Sequence, residues 1–179
     1  MRKWNSLLSL TALVLLLLHG VLESFHLIGA DGEVTKLLPR AVLTLLLLHA
    51  ALGVKYTADA LRVWKRTGAG YFRENRILWA RRISGFVILV LLFFHVGAFG
   101  EVVDGVFHLH PFTWIKLTHH LLLAASLAVH LLTNLRPLLL SLGIRSGRKR
   151  LGDLLFLLAV LLLFMAGAFV VYYLRWNVW

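Results

Sequence analysis

Long apolar stretches dominate the chain, and short polar segments separate them. Five stretches reach the about 20 residues that a helix needs to cross a bilayer. They predict helices over residues 5–28, 38–63, 78–103, 114–142 and 151–176. The separators carry turn chemistry: GADGE at 29–33, RTGAGYFRENR at 66–76, DGVFHLHP at 104–111 and GIRSGRKR at 143–150. This pattern leaves no room for a separate soluble domain. The chain reads as one all-α transmembrane domain, a five-helix bundle over residues 1–179. The first apolar run, Trp4 to Leu22, is uncharged and exceeds the apolar region of a cleaved signal peptide. It reads as a retained helix.

Four histidines interrupt four separate apolar runs. His19 lies in LLLLHG, His49 in LLLLHAALG, His95 in LLFFHVGAFG, and His130 in the fourth predicted helix. An ionisable side chain inside hydrocarbon is costly, so each is a functional candidate. Four imidazoles on four helices can form two bis-imidazole metal sites. Rise along a helix, about 1.5 Å per residue, converts their positions into depths. His49 and His130 each lie roughly 9 Å from the charged edge marked by Lys55 and Arg136. His95 lies roughly 20 Å beyond Arg82, and His19 roughly 21 Å beyond Asn5. The depths match in two pairs: His49 with His130 at the inner level, and His19 with His95 at the outer. Gly20, Ala50, Ala51 and Gly97 follow these histidines closely, and Gly53 shares the face of His49. Small residues admit a flat macrocycle close to the backbone, although they also serve ordinary packing between membrane helices.

Composition narrows the chemistry. The chain is 60% hydrophobic and 15% charged, against roughly 25% charged in a soluble domain. Chemistry on a water-soluble substrate therefore belongs to another polypeptide. Cysteine is absent, which excludes disulfides, iron–sulfur clusters bound by this chain, and thioether-linked heme. Two non-covalent b-type hemes are the expected cofactors. The formal charge of +11 resides in short loops between apolar spans, so it reports sidedness rather than nucleic-acid binding. Of the 19 basic residues, all but Lys36, Arg40, Lys116 and Arg175 fall on one side. The positive-inside rule then predicts a cytoplasmic N-terminus and an outside C-terminus in the cell's inner membrane. Tyr172, Tyr173, Trp176 and Trp179 would form an outer aromatic belt.

The remaining polar residues offer secondary candidates. Lys55 and Arg82, with Arg76 and Arg81, are possible inner partners for heme propionates. His108 and His110 sit in the outer loop beside Pro111. His26, His119 and His120 lie near outer helix ends, where they can line a quinone pocket, meet a propionate or face headgroups. His26 or His119 is an alternative to His19 as ligand.

The stretch HAALGVKYTADALRVWKRTGAGYFRENRILWARRISGFVILVLLFFHV, from His49 to Val96, resembles the diheme cytochrome b anchor of succinate dehydrogenases and fumarate reductases. That family has five membrane helices, a GYFRN-like loop, and an RISG or RITG motif thirteen residues before a heme histidine. Here Arg82-Ile83-Ser84-Gly85 precedes His95 at that spacing. HLLTNLRPLLLSLGI, from His130 to Ile144, resembles the family's fourth helix after its ligand. His49, His95 and His130 carry over on these motifs, and His19 carries over by position. The first helix departs from the family: its usual Arg/His/Ser cluster is replaced by Arg2, Trp4, Asn5 and Ser6.

The resemblance implies a flavoprotein subunit and an iron–sulfur subunit docked on the basic inner face. It implies electron passage between that iron–sulfur protein and membrane quinone, with menaquinone expected. No residue of this chain is expected to be catalytic alone, and the whole complex can form a higher oligomer. A quinone site needs polar groups near the second heme, and the outer end supplies Glu23 and His26 first, then Glu101, His119 and Trp114. Two alternatives stand beside this reading. One is the b-type cytochrome anchor of another quinone-linked oxidoreductase, of hydrogenase or formate dehydrogenase type. The other is a heme-free anchor or transporter, although the apolar runs lack the interruptions typical of transporter binding sites.

Overall fold

A computed structural model describes residues 2–30, 37–68, 75–104, 106–145 and 147–178. It contains helices α1 (Arg2–Ile28), α2 (Leu37–Thr67), α3 (Arg76–His95), α4 (Trp114–Ser141) and α5 (Arg148–Asn177). Strands β1 (Gly100–Val103) and β2 (Val106–Leu109) lie between α3 and α4. All five helices are long and apolar enough to cross a membrane. At 31 residues, α2 is about 46 Å long, beyond the about 30 Å of a hydrocarbon core. Its charged end, with Asp59, Arg62, Lys65 and Arg66, is the part that exceeds this length. Most of the GYFRN-like loop, including Arg73, lies outside the described residues, as do Asp31, Glu33, Lys36 and Trp179.

Two expectations are corrected between α3 and α4. The third helix stops at His95, not at 103, because Val96 turns extended and Gly97 adopts a left-handed φ of +78°. The bundle is also not purely helical. β1 and β2 pair antiparallel, with Glu101 opposite His108 and Val103 opposite Val106. At the end of β1, Asp104 has a φ of +51°. An Asp-Gly pair between two short apolar runs is a strong hairpin signal. Local turn chemistry here overrides the apolar run that predicts a longer helix.

Other termini follow familiar rules. The Thr113 side chain accepts from the Lys116 amide and caps α4. At the far end of α4, Gly143 has a φ of +80°, and the Ile144 amide donates back to the Leu139 carbonyl. This closing motif needs a residue tolerant of left-handed backbone, which glycine is.

The helices pack as two pairs with a back wall. α3 packs most extensively on α4, and α1 packs on α2; α5 contacts both α1 and α4, while α2 and α3 barely touch. The core lies along α5, where Leu158, Leu162 and Met165 bury one face against Leu17, Leu127, Ala128, Leu131 and Leu132. A side chain at Gly20 would collide with the Met165 sulfur, so glycine there lets the flexible Met165 side chain lie against α1. Outward faces are apolar: Phe93, Phe156 and Leu163 are 80%, 73% and 72% exposed. An apolar surface this continuous is unstable in water and suits hydrocarbon.

Candidate functional site

The scarcity of contact between α2 and α3 opens a cavity of about 1990 Å³ between the two helix pairs, with α5 closing its back. Drug-sized ligand pockets reach only about 1,000 Å³, so this space holds more than one such molecule or one very large one. His19, His26, His49, His95 and His130 all line it, together with Glu23, Arg81 and Arg82. No other part of the described chain gathers so many imidazoles.

At the level predicted from Lys55 and Arg136, His49 from α2 and His130 from α4 meet across the cavity. Their ring centres are 6.3 Å apart and their planes are nearly perpendicular, at 84°. Two imidazoles on opposite sides of one metal, with bonds of about 2.0 Å and roughly 1.1 Å more to each ring centre, would lie about 6.2 Å apart. The spacing fits one shared metal.

Hydrogen bonds fix which nitrogen each ring offers. Ser9 on α1 gives its hydroxyl proton to the Asn5 carbonyl at 2.8 Å, so its oxygen must accept from His49 Nδ1, 3.2 Å away. On the other wall, His130 Nδ1 donates to the Arg81 carbonyl at 3.0 Å and lies 3.3 Å from the Ser84 hydroxyl. Ser84 likewise spends its proton on the Arg81 carbonyl, at 3.0 Å. Both Nδ1 atoms therefore carry the proton, and both Nε2 atoms keep a lone pair for a ligand. Gly85 completes the cradle, since a Cβ there would stand 3.1 Å from His130 Cε1. The segment Arg81–Gly85 is thus a receptor for His130, a role its sequence spacing to His95 does not announce.

The other expected pair is less closely joined. His19 and His95 line the same cavity, and the Nδ1 of each is buried without a hydrogen-bond partner. His19 Nδ1 lies 3.9 Å from Glu23 Oε1, beyond hydrogen-bond reach. The rings of His19 and His95 are not in contact, although each lies within electrostatic range of the other. His95 packs instead on Phe99 and His120, at 6.0 and 5.2 Å between ring centres.

His120 is the histidine that sequence reasoning undervalued. It is 2% exposed, surrounded by Phe99, Phe112 and Phe169, and its Nδ1 donates to the Lys116 carbonyl at 2.7 Å. Its Nε2 is buried with no hydrogen-bond partner. Nothing in its own stretch, IKLTHHLLL at 115–123, signalled this, because the rings around it come from other segments. The adjacent His119 stacks on the exposed Phe94 and does not line the cavity, which sets it apart from His26 as an alternative ligand.

Other candidates separate in the same way. Glu23 stands between two histidines, with Oε2 3.6 Å from His26 Nδ1, and both residues face the cavity. Glu101 lines it too and pairs with His110 at 3.4 Å, whereas Trp114 does not. Arg82 lines the cavity and donates to the Tyr56 carbonyl at 3.3 Å, a link between the barely touching α2 and α3. Lys55 is exposed and does not line it. The reason is rotation: six residues past His49 is about 240° around the helix, away from the His49 face. Among the described residues, no three His, Cys, Asp or Glu side chains cluster to hold a metal ion. A bis-imidazole site needs only two.

Compared with family models, characterised proteins and solved structures, the chain matches none.

Proposed function

We propose that the protein is a diheme cytochrome b membrane anchor of the succinate dehydrogenase and fumarate reductase type. It passes electrons between an iron–sulfur subunit and membrane quinone. The single observation carrying this reading is the inner pair. His49 and His130 face each other at ligand spacing, with both Nδ1 atoms tied and both Nε2 atoms left for iron. Heme at this site supplies a one-electron carrier; the chain's residues supply its place.

In this reading the N-terminus is cytoplasmic and the C-terminus outside. Ser9, Arg81 and Ser84 hold the inner imidazoles in one tautomer, and Gly85 leaves them room. His19 and His95 hold the outer heme. Arg82 meets an inner propionate, a role that the placement of Lys55 does not support. Glu23 and His26 bind quinone beside the outer heme and exchange protons with it. The flavoprotein and iron–sulfur subunits dock on the basic inner face, where Arg148, Lys149 and Arg150 are exposed.

The test is a reduced-minus-oxidised visible spectrum of purified protein with heme extraction. Two b-type hemes per chain support the reading. A protein without heme, isolated from heme-replete membranes, overturns it.

A further inference from the structure

Pro137 lies inside α4, not at its end. Proline has no amide proton, so the carbonyl four residues earlier, on Thr133, loses its helical partner. A bare carbonyl in an apolar bundle is costly and must find a donor. In this structure Arg81 Nε reaches across from α3 and donates to the Thr133 carbonyl at 3.0 Å. The backbone carbonyl of that same arginine accepts from His130 Nδ1, also at 3.0 Å. His130 and Thr133 are three residues apart and share a face of α4. One residue of α3 therefore grips α4 twice, through its side chain at Thr133 and through its main chain at His130.

We propose that Arg81 is a positioning residue for His130, and that Pro137 creates the acceptor to which Arg81 is anchored. The proline frees a carbonyl, and here a side chain of the neighbouring helix satisfies it. The arginine that satisfies it brings its own carbonyl under the imidazole and fixes the ring's rotation. This assigns Arg81 a role beyond meeting a propionate: its Nε donates to Thr133, and only its terminal nitrogens are left for an anion. The inference rests on the reading of His130 as a heme ligand.

The experiment compares wild type, Arg81→Lys, Pro137→Ala and the double variant. It measures heme content and the potential of each heme by redox-titrated absorption, with the outer heme as internal control. Loss of a group that orients a metal-bound histidine typically weakens the metal site by about tenfold or more. Arg81→Lys should weaken inner-heme retention by about that factor and shift the inner potential, leaving the outer heme unchanged. Pro137→Ala should act in the same direction, although alanine is the better helix former. The double variant should be no worse than Arg81→Lys alone, because both changes act through one bond. Additive losses, or an unshifted inner potential in Pro137→Ala, overturn the proposal. Wild-type protein with two hemes and unchanged variants defeats this inference alone; wild-type protein without heme defeats it together with the proposed function.

Discussion

His130 lies so close over Gly85 that a methyl group at position 85 would stand 3.1 Å from its Cε1 and 3.4 Å from its Nδ1. Both distances fall within a fold where α3 and α4 form the most extensive helix pair. Gly85→Ala should therefore push the imidazole by a few tenths of an ångström while removing a glycine from a helix. The helix gains about 1 kcal/mol in local propensity. The expected outcome is unchanged or raised thermal stability with reduced inner-heme occupancy, read by heme extraction and by melting. Full inner occupancy in this variant would show that the cradle has slack.

The facing of His49 and His130 predicts shared loss. His49→Ala and His130→Ala should each remove the same heme, about one of two per chain, since each site needs both axial ligands. His19→Ala and His95→Ala should each remove the other. Spectra and potentials of the four variants check this. Different hemes lost from the first two variants would break the inner pairing, and a normal outer heme in His19→Ala would pass the ligand role to His26.

Ser9 is the partner of His49, and nothing in its own segment marks it as such. Ser9→Ala would leave the His49 Nδ1 proton without its acceptor. The inner heme should bind about tenfold more weakly, with the outer heme unaffected. Ser9→Thr keeps the hydroxyl and should restore binding. Equal heme affinity in Ser9→Ala would reduce the serine to a packing residue.

Glu23 stands between His19 and His26 on the cavity wall. A Glu23→Gln, His26→Asn double variant should keep both hemes yet lose quinone-linked turnover and inhibitor-induced shifts of the outer heme spectrum. Undiminished quinone reduction by this variant would move the site elsewhere along the cavity.

Some structural residues were legible only in part. The segment DGVFHLHP at 104–111 read only as turn chemistry after a helix running to 103, although an Asp-Gly pair also suits a hairpin. Lys55 had the right depth beside His49, but depth fixes only position along a helix axis. Its rotation carries it off the cavity. His120 looked like one of several outer histidines until Phe99, Phe112 and Phe169 closed around it.

By itself, the sequence determined the five apolar helices, the two depths along them at which four histidines fall, and the uneven distribution of basic residues among the connecting segments. These are properties of short segments: hydrophobic length, rise per residue and local charge. Only the tertiary structure decided that α2 and α3 stand apart to leave a cavity, that His49 and His130 face each other across it, and that Ser9 and Arg81 hold them. Those relations depend on the rotation of each helix about its axis and on which neighbours it packs against. Both are set jointly by contacts such as Gly20 with Met165 and Gly85 with His130, whose partners lie far apart along the chain.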